Sequence, residues 1–172
     1  TDNRKNVAGT IVLHDSFVHA DGKKGLFAVE FWPTDPVKAS QVNKAFDLIT
    51  SALPFAKGRL AYHPAGDTQE RLAAAEASKL KRFKVPVTST EQLFAGVTYN
   101  GLNPGVGFGV LKVVDGATPA PLTVRDVVLF KGSIPNDISH VGGIITEVPQ
   151  TPLSHINPKA QQNKMPNAFI MG

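Results

Sequence analysis

The sequence predicts a mixed α/β fold from three observations. Strands and helices alternate up to about residue 100, turn-forming residues cluster at 100–105, and short apolar strands dominate beyond that cluster. Residues 9–13 and 25–31 have strand composition, and residues 21–25 favour a turn between them. We therefore predict a small α/β or α+β unit over residues 1–100, in which no motif indicates a chemical role.

Two helices are predicted within this first unit. Residues 34–36 (Thr-Asp-Pro) favour the first helix start, because a hydroxyl or carboxylate accepts first-turn amide protons and proline fits there. The apolar residues of this helix recur at helical spacing and should face a core: Val42, Phe46, Ile49 and Leu53. Pro54 should end the helix, and a strand is expected over 58–63. Residues 67–70 have capping-box spacing and open an alanine-rich helix to about residue 83.

The second part of the chain is rich in glycine and in predicted strands. Glycine alternates with larger apolar residues from Val106 to Val114, which is typical of a strand that other backbone approaches closely. We prefer this interpretation of Gly105, Gly107 and Gly109 to a phosphate-binding loop, which requires a following helix. The remaining elements are predicted in the order of strands over 124–130 and 143–148, a helix over 158–164, and a strand beginning at 167–170. Because that strand is only beginning and no initiator methionine is present, we expect a piece of a longer polypeptide.

Composition excludes several classes of site. The chain has 172 residues and a formal net charge of +4. It contains no cysteine, so thiolate nucleophiles and cysteine-based metal sites are excluded. Its one dense basic cluster, residues 79–84, lacks aromatic neighbours and is predicted to be the solvated face of a helix, not a nucleic-acid site. No apolar stretch approaches the roughly 18 residues of a membrane span, and the first residues lack a signal-peptide core. We expect a cytoplasmic protein with no membrane partner.

Histidines outside the main motif have simpler interpretations. His14 and His19, with Asp15 and Asp21, suggest a metal site, but no third ligand is fixed and hairpin surface residues are the preferred interpretation. We therefore predict no metal site. His63, like Trp32, is predicted to serve packing. His140 is interpreted as a turn residue, with tuning of a nearby site as the alternative.

The chemically informative stretch surrounds His155. A buried strand is followed by a turn with two prolines, and His155 then precedes a helix that Asn157 can cap, with Pro158 at its first position. A neutral imidazole nitrogen can attack phosphorus and hold a phosphoryl group, which helix amides and the helix dipole stabilise. The same dipole is expected to lower the pKa of the imidazole and keep it nucleophilic.

Three neighbours are predicted to assist phosphate binding. The hydroxyls of Ser154 and Thr151 and the ammonium of Lys159 would donate hydrogen bonds to phosphate oxygens. Spacing alone leaves a capping or surface role for His155 as the alternative.

Four segments together resemble the mobile domain of the phosphoenolpyruvate synthase and pyruvate phosphate dikinase family. Residues 144–147 (Ile-Ile-Thr-Glu) match its strand, and Ser154-His155 matches the end of its Thr-Ser-His signature. Residues 165–168 (Met-Pro-Asn-Ala) match the exit into the next strand. Upstream, residues 103–109 resemble the segment that opens the domain, and 126–130 its following strand. The resemblance covers about residues 101–172, and the Pro-Leu-Ser-His turn is closer to the glucan water dikinases and phosphoenolpyruvate synthase-like proteins.

This resemblance implies a swivelling β/β/α phosphohistidine domain over 101–172, truncated at its C-terminal end. His155 would take a phosphoryl group from ATP at a separate ATP-grasp domain of the same polypeptide and pass it to an acceptor such as pyruvate or a glucan. ATP and Mg²⁺ are expected in the full-length enzyme, with no cofactor in this chain, which alone should not turn over.

The sequence also departs from the family pattern. Leu153 replaces the common threonine, and Gln161 stands where many relatives have arginine, for which Lys159 is a substitute. Gln150, Thr151 and Pro152 replace the usual glycines. These changes motivate an alternative in which the fold is a non-catalytic interaction or regulatory module with a vestigial histidine.

Overall fold

The structure is a computed structural model that describes residues 6–116, 121–132, 134–135, 138–151 and 154–171. The chain divides into two compact units, Thr1–Ala95 and Gly96–Gly172. Each unit combines one β-sheet with α-helices, so the prediction of a mixed α/β fold is confirmed. Over the described ranges, no helix combines the length and apolar character needed to cross a bilayer.

The first unit contains a three-stranded sheet. Its elements are β1 (Gly9–Val18), β2 (Lys24–Phe31), α1 (Ala39–Ala52), β3 (Leu60–Tyr62), α2 (Asp67–Ala75), α3 (Ala77–Arg82) and α4 (Thr90–Leu93). The strand order is β1-β2-β3; β1 pairs antiparallel with β2, and β3 pairs parallel with β2.

Helix α1 covers one face of this sheet. The predicted core positions Val42 and Phe46 are buried, and Ile49 and Leu53 are partly buried against the same core, as their helical spacing predicts. Strand residues such as Val29, Phe31, Leu60 and Tyr62 supply the other side of this core. The helix ends at Ala52, ahead of Pro54, as expected.

The predicted start of the first helix is wrong, and the second helix begins at Asp67 as expected but ends early. Helix α1 begins at Ala39 and not at residues 34–36, because the Glu76 carboxylate accepts a hydrogen bond from the Ala39 backbone amide at 2.6 Å. The predicted single helix over 67–83 is interrupted at Glu76, which separates α2 from α3. Gly66, and not Asp67, is the N-cap of α2, so Asp67 and Glu70 do not form the predicted capping box.

The second unit contains a five-stranded sheet. Its elements are β4 (Tyr99–Asn103), β5 (Val110–Val114), β6 (Asp126–Phe130), β7 (Gly143–Thr146), α5 (Ile156–Gln162) and β8 (Asn167–Ile170). The strand order is β4-β8-β7-β6-β5; the last four are mutually parallel and β4 is antiparallel to β8. The predicted turn cluster at 100–105 is therefore partly strand, and β5 starts later than the predicted residue 106.

Two glycines directly ahead of β5 have backbone atoms close to them. A Cβ added to Gly107 would lie 2.1 Å from the Gly142 carbonyl oxygen, and one added to Gly109 would lie 2.3 Å from the Arg125 carbonyl oxygen. Neither distance is compatible with a side chain. The interpretation of these glycines as positions of close backbone packing is therefore confirmed.

Strand β5 is an outer strand of this sheet and is unusually apolar for its position. Val110, Leu111 and Val113 are all exposed. The ammonium of Lys112 lies 3.1 Å from the carboxylate of Asp126 on β6, so the one charge on β5 is directed toward its neighbouring strand.

Helix α5 covers one face of the second sheet. Its residues Ile156 and Ala160 are buried in a core with Val128, Phe130 and Ile144, which alternate along β6 and β7 and so share one face. The helix ends before Lys164, which adopts a positive φ of 54°, and the Met165 amide donates to the Ala160 carbonyl at 2.8 Å.

Candidate functional site

His155 immediately precedes α5 in the second unit. It is half-buried, takes the N-cap position with φ −53° and ψ −28°, and makes no side-chain cap hydrogen bond. The predicted cap, Asn157, is instead the second helical residue, and Pro158 is the third and not the first. The predicted helix bounds of 158–164 are accordingly two residues late.

The neighbours predicted to assist His155 are held in the same loop and helix. The Ser154 amide donates to the Thr151 carbonyl at 3.0 Å, and the Asn157 amide donates to the Ser154 carbonyl at 3.0 Å. Lys159 lies four residues after His155, a separation that brings side chains to one face of a helix. Pro152 lies outside the described residues, as does Leu153, which replaces the threonine of the family signature.

A network of buried polar side chains fixes this loop on the sheet. The Asn167 side-chain amide donates to Gln150 Oε1 at 3.0 Å and to Asn157 Oδ1 at 2.6 Å. The Gln150 side-chain amide donates to Asn167 Oδ1 at 3.0 Å and to Thr146 Oγ1 at 2.9 Å. All four side chains are almost fully buried.

Asn157 connects this network to the chain segment that carries His155. Its side-chain amide also donates to the Thr151 carbonyl at 2.8 Å, so one residue ties the helix start to both the preceding loop and the next strand. Because buried amides are costly without partners, this arrangement favours keeping Thr151, the start of α5 and β8 together. Sequence reasoning assigned Asn157 to capping and missed the network.

The first unit contains a second polar cluster that sequence reasoning missed. The Nδ1 atom of His63 lies 2.9 Å from Glu30 Oε1, and its Nε2 atom lies 2.9 Å from Thr90 Oγ1. Glu30 and His63 are fully buried, and Thr90 is half-buried. The prediction that His63 only packs is therefore incomplete. A glutamate within the apolar run of β2 was the available signal.

Parallel pairing of β2 and β3 brings this cluster together. Val29 is in register with Tyr62, so the next residues, Glu30 and His63, are neighbours at the ends of their strands. The Thr88 amide donates to the Tyr62 carbonyl at 2.9 Å, and this contact brings the start of α4 to the same place.

His14 borders the same face of the first sheet. Its ring packs edge-on against Phe94 at 5.6 Å between centroids, and burial lowers its pKa, opposed by the nearby Glu30 carboxylate. His19 Nε2 lies 3.0 Å from the Gly25 carbonyl oxygen in the hairpin. Within the described part of the chain, no group of three or more histidine, aspartate or glutamate side chains is arranged to hold a metal ion.

Comparisons with known proteins add no relative. A scan against protein-family models, a search of curated proteins and a search of solved structures each gave no match to this chain.

Proposed function

We propose that the second unit carries a phosphoryl group on His155, as the swivelling phosphohistidine domain of an ATP-dependent dikinase related to phosphoenolpyruvate synthase. The observation that carries the proposal is a half-buried imidazole directly ahead of α5, a helix whose start is tied to Thr151 and to β8 by the buried Asn157 side chain. A helix start anchored in this way supports a nucleophile at the residue just before it.

The chemistry needs only one nucleophilic nitrogen. An imidazole nitrogen attacks the phosphorus of ATP, a P–N bond forms as the P–O bond to the leaving nucleotide breaks, and the ring proton passes to solvent. Ser154, Thr151 and Lys159 would stabilise the phosphoryl oxygens. A separate ATP-grasp domain would supply ATP and Mg²⁺, and a small molecule such as pyruvate would accept the group. This scheme belongs in the cytoplasm, where ATP is abundant.

The first experiment tests the nucleophile in this chain alone. The protein is incubated with phosphoramidate, a small phosphoryl donor, and the product is mapped by mass spectrometry at neutral pH. We expect an acid-labile, base-stable phosphoryl group on His155 and its loss in His155→Ala. His140→Ala is the matched control, because His140 is an exposed histidine of the same unit; this variant should keep the label.

A second experiment tests the dikinase step. A polypeptide joining this chain to its ATP-grasp domain should be labelled by ATP and Mg²⁺ at the same residue. A label that persists in His155→Ala refutes the assignment. A protein that accepts no label from either donor favours the non-catalytic alternative, to which the exposed Gln161 in place of an arginine already points.

A further inference from the structure

Glu30, His63 and Thr90 form a carboxylate–imidazole–hydroxyl chain. Both hydrogen-bonding distances are 2.9 Å, and they involve opposite nitrogens of the same ring. A nucleophile hydrogen-bonded to a base, with the base oriented by a third group, is the arrangement that activates hydroxyls for covalent catalysis.

The hydrogen-bond geometry fits this role in the His63 tautomer that carries its proton on Nδ1. When the Glu30 carboxylate is ionised it only accepts, so His63 Nδ1 carries the proton that it donates. In the neutral ring, Nε2 is then an acceptor for the Thr90 hydroxyl proton. Each member thus has the hydrogen-bonding role that nucleophile activation requires.

Burial of the carboxylate is not explained by packing. Glu30 is fully buried, and its second oxygen, Oε2, has no hydrogen-bond partner among the described residues. An unsatisfied buried carboxylate oxygen costs stability, so its retention in this place calls for a reason other than packing.

Thr90 is the member of the three that lies nearest the surface. It is half-buried at the first position of α4, and the residues on either side, Ser89 and Glu91, are exposed. The acid and base lie behind it, away from water. Solvent exposure thus increases from the buried Glu30 and His63 to Thr90. A nucleophile needs to be the most exposed member of such a set, with its supporting groups behind it.

We propose that Thr90 is the nucleophile of an acyl-transfer site in the first unit, with His63 as general base and Glu30 as the residue that orients it. The substrate class is a carboxylic ester. The Thr90 oxygen attacks the ester carbonyl carbon while its proton passes to His63 Nε2. The C–O bond to the alcohol then breaks, and His63 returns the proton to the departing alcohol. Water hydrolyses the acyl-threonine by the same steps, which releases the acid.

The test uses the whole chain with p-nitrophenyl acetate. We expect a burst of nitrophenol and an acetyl group that peptide mass spectrometry maps to Thr90. Thr90→Val should abolish the burst, and His63→Gln and Glu30→Gln should slow acylation by about 10²-fold each. Thr90→Ser keeps a hydroxyl and should keep the burst. Thr98→Val, a change at an exposed threonine of the second unit, should have no effect.

Structural damage and lost chemistry are separable in this set. Thr90→Ser retains the hydrogen bond to His63, and circular dichroism establishes that each variant is folded. A folded wild type with no burst, an acetyl group found elsewhere, or equal bursts from wild type and Thr90→Val would overturn the proposal. None of these outcomes bears on phosphorylation of His155.

Discussion

Replacing Asn157 with alanine tests whether the buried network holds the His155 loop. The change removes two hydrogen bonds, the donation to the Thr151 carbonyl at 2.8 Å and the one accepted from Asn167 at 2.6 Å. One Asn167 proton is left without a partner, whereas the Thr151 carbonyl keeps the hydrogen bond from the Ser154 amide. At roughly 1–3 kcal/mol for the unsatisfied Asn167 proton and roughly 0.5–1.5 kcal/mol for the lost hydrogen bond to Thr151, less about 0.5 kcal/mol gained in helix propensity, we expect a loss of about 1–4 kcal/mol.

Amide hydrogen exchange measured by mass spectrometry is the suitable assay, because it resolves β7, α5 and β8 from the first unit. Asn157→Ala should accelerate exchange in those three elements. The matched control is Gln161→Ala, a change at an exposed amide on the same helix, which should alter stability by no more than about 0.5 kcal/mol. Equal exchange in the two variants would show that the network does not stabilise the loop.

Two further predictions concern the second unit. Gly107→Ala should destabilise the unit strongly, since its Cβ would lie 2.1 Å from a carbonyl oxygen, whereas Gly132→Ala, with open space around it, should be nearly neutral in a thermal melt. The pKa of Asp126 is lowered from 3.8, first by the hydrogen bond from the Thr123 amide and further by Lys112. The ionised carboxylate therefore stabilises the fold above pH 3.8, and this contribution disappears as the pH falls through the lowered value. Asp126→Asn should flatten the loss of stability between pH 6 and pH 2 in urea titrations, and an unchanged slope would contradict this assignment.

Elements whose structure is determined by neighbouring residues in the sequence could be predicted from local sequence patterns. The buried face of α1, its end ahead of Pro54 and the span of β8 follow from periodicity and backbone chemistry alone. The start of α1 was harder to predict, because Lys38 is its N-cap and the Ala39 amide donates to Glu76, a side chain 37 residues away. Propensity indicates where a helix is allowed to begin, and tertiary contacts choose among the allowed positions.

The candidate sites also divide into residues that a local motif identifies and residues that only tertiary contacts bring together. His155 was found because its neighbours in sequence form a motif, while Asn167, which anchors its loop, comes from the following strand. The Glu30–His63–Thr90 chain joins residues separated by 33 and 27 positions, so no local pattern contains it. Parallel strand register creates that cluster, and register is a property of the folded sheet.

The outward side of β5 affects how this protein behaves in concentrated solution. Proteins often place a lysine on an edge strand to prevent pairing with another strand. On β5 the ammonium of Lys112 instead forms an ion pair with Asp126 of the neighbouring strand. What remains is a strip of backbone donors and acceptors bordered by Val110, Leu111 and Val113. Such a strip is a template to which a strand of another molecule can pair.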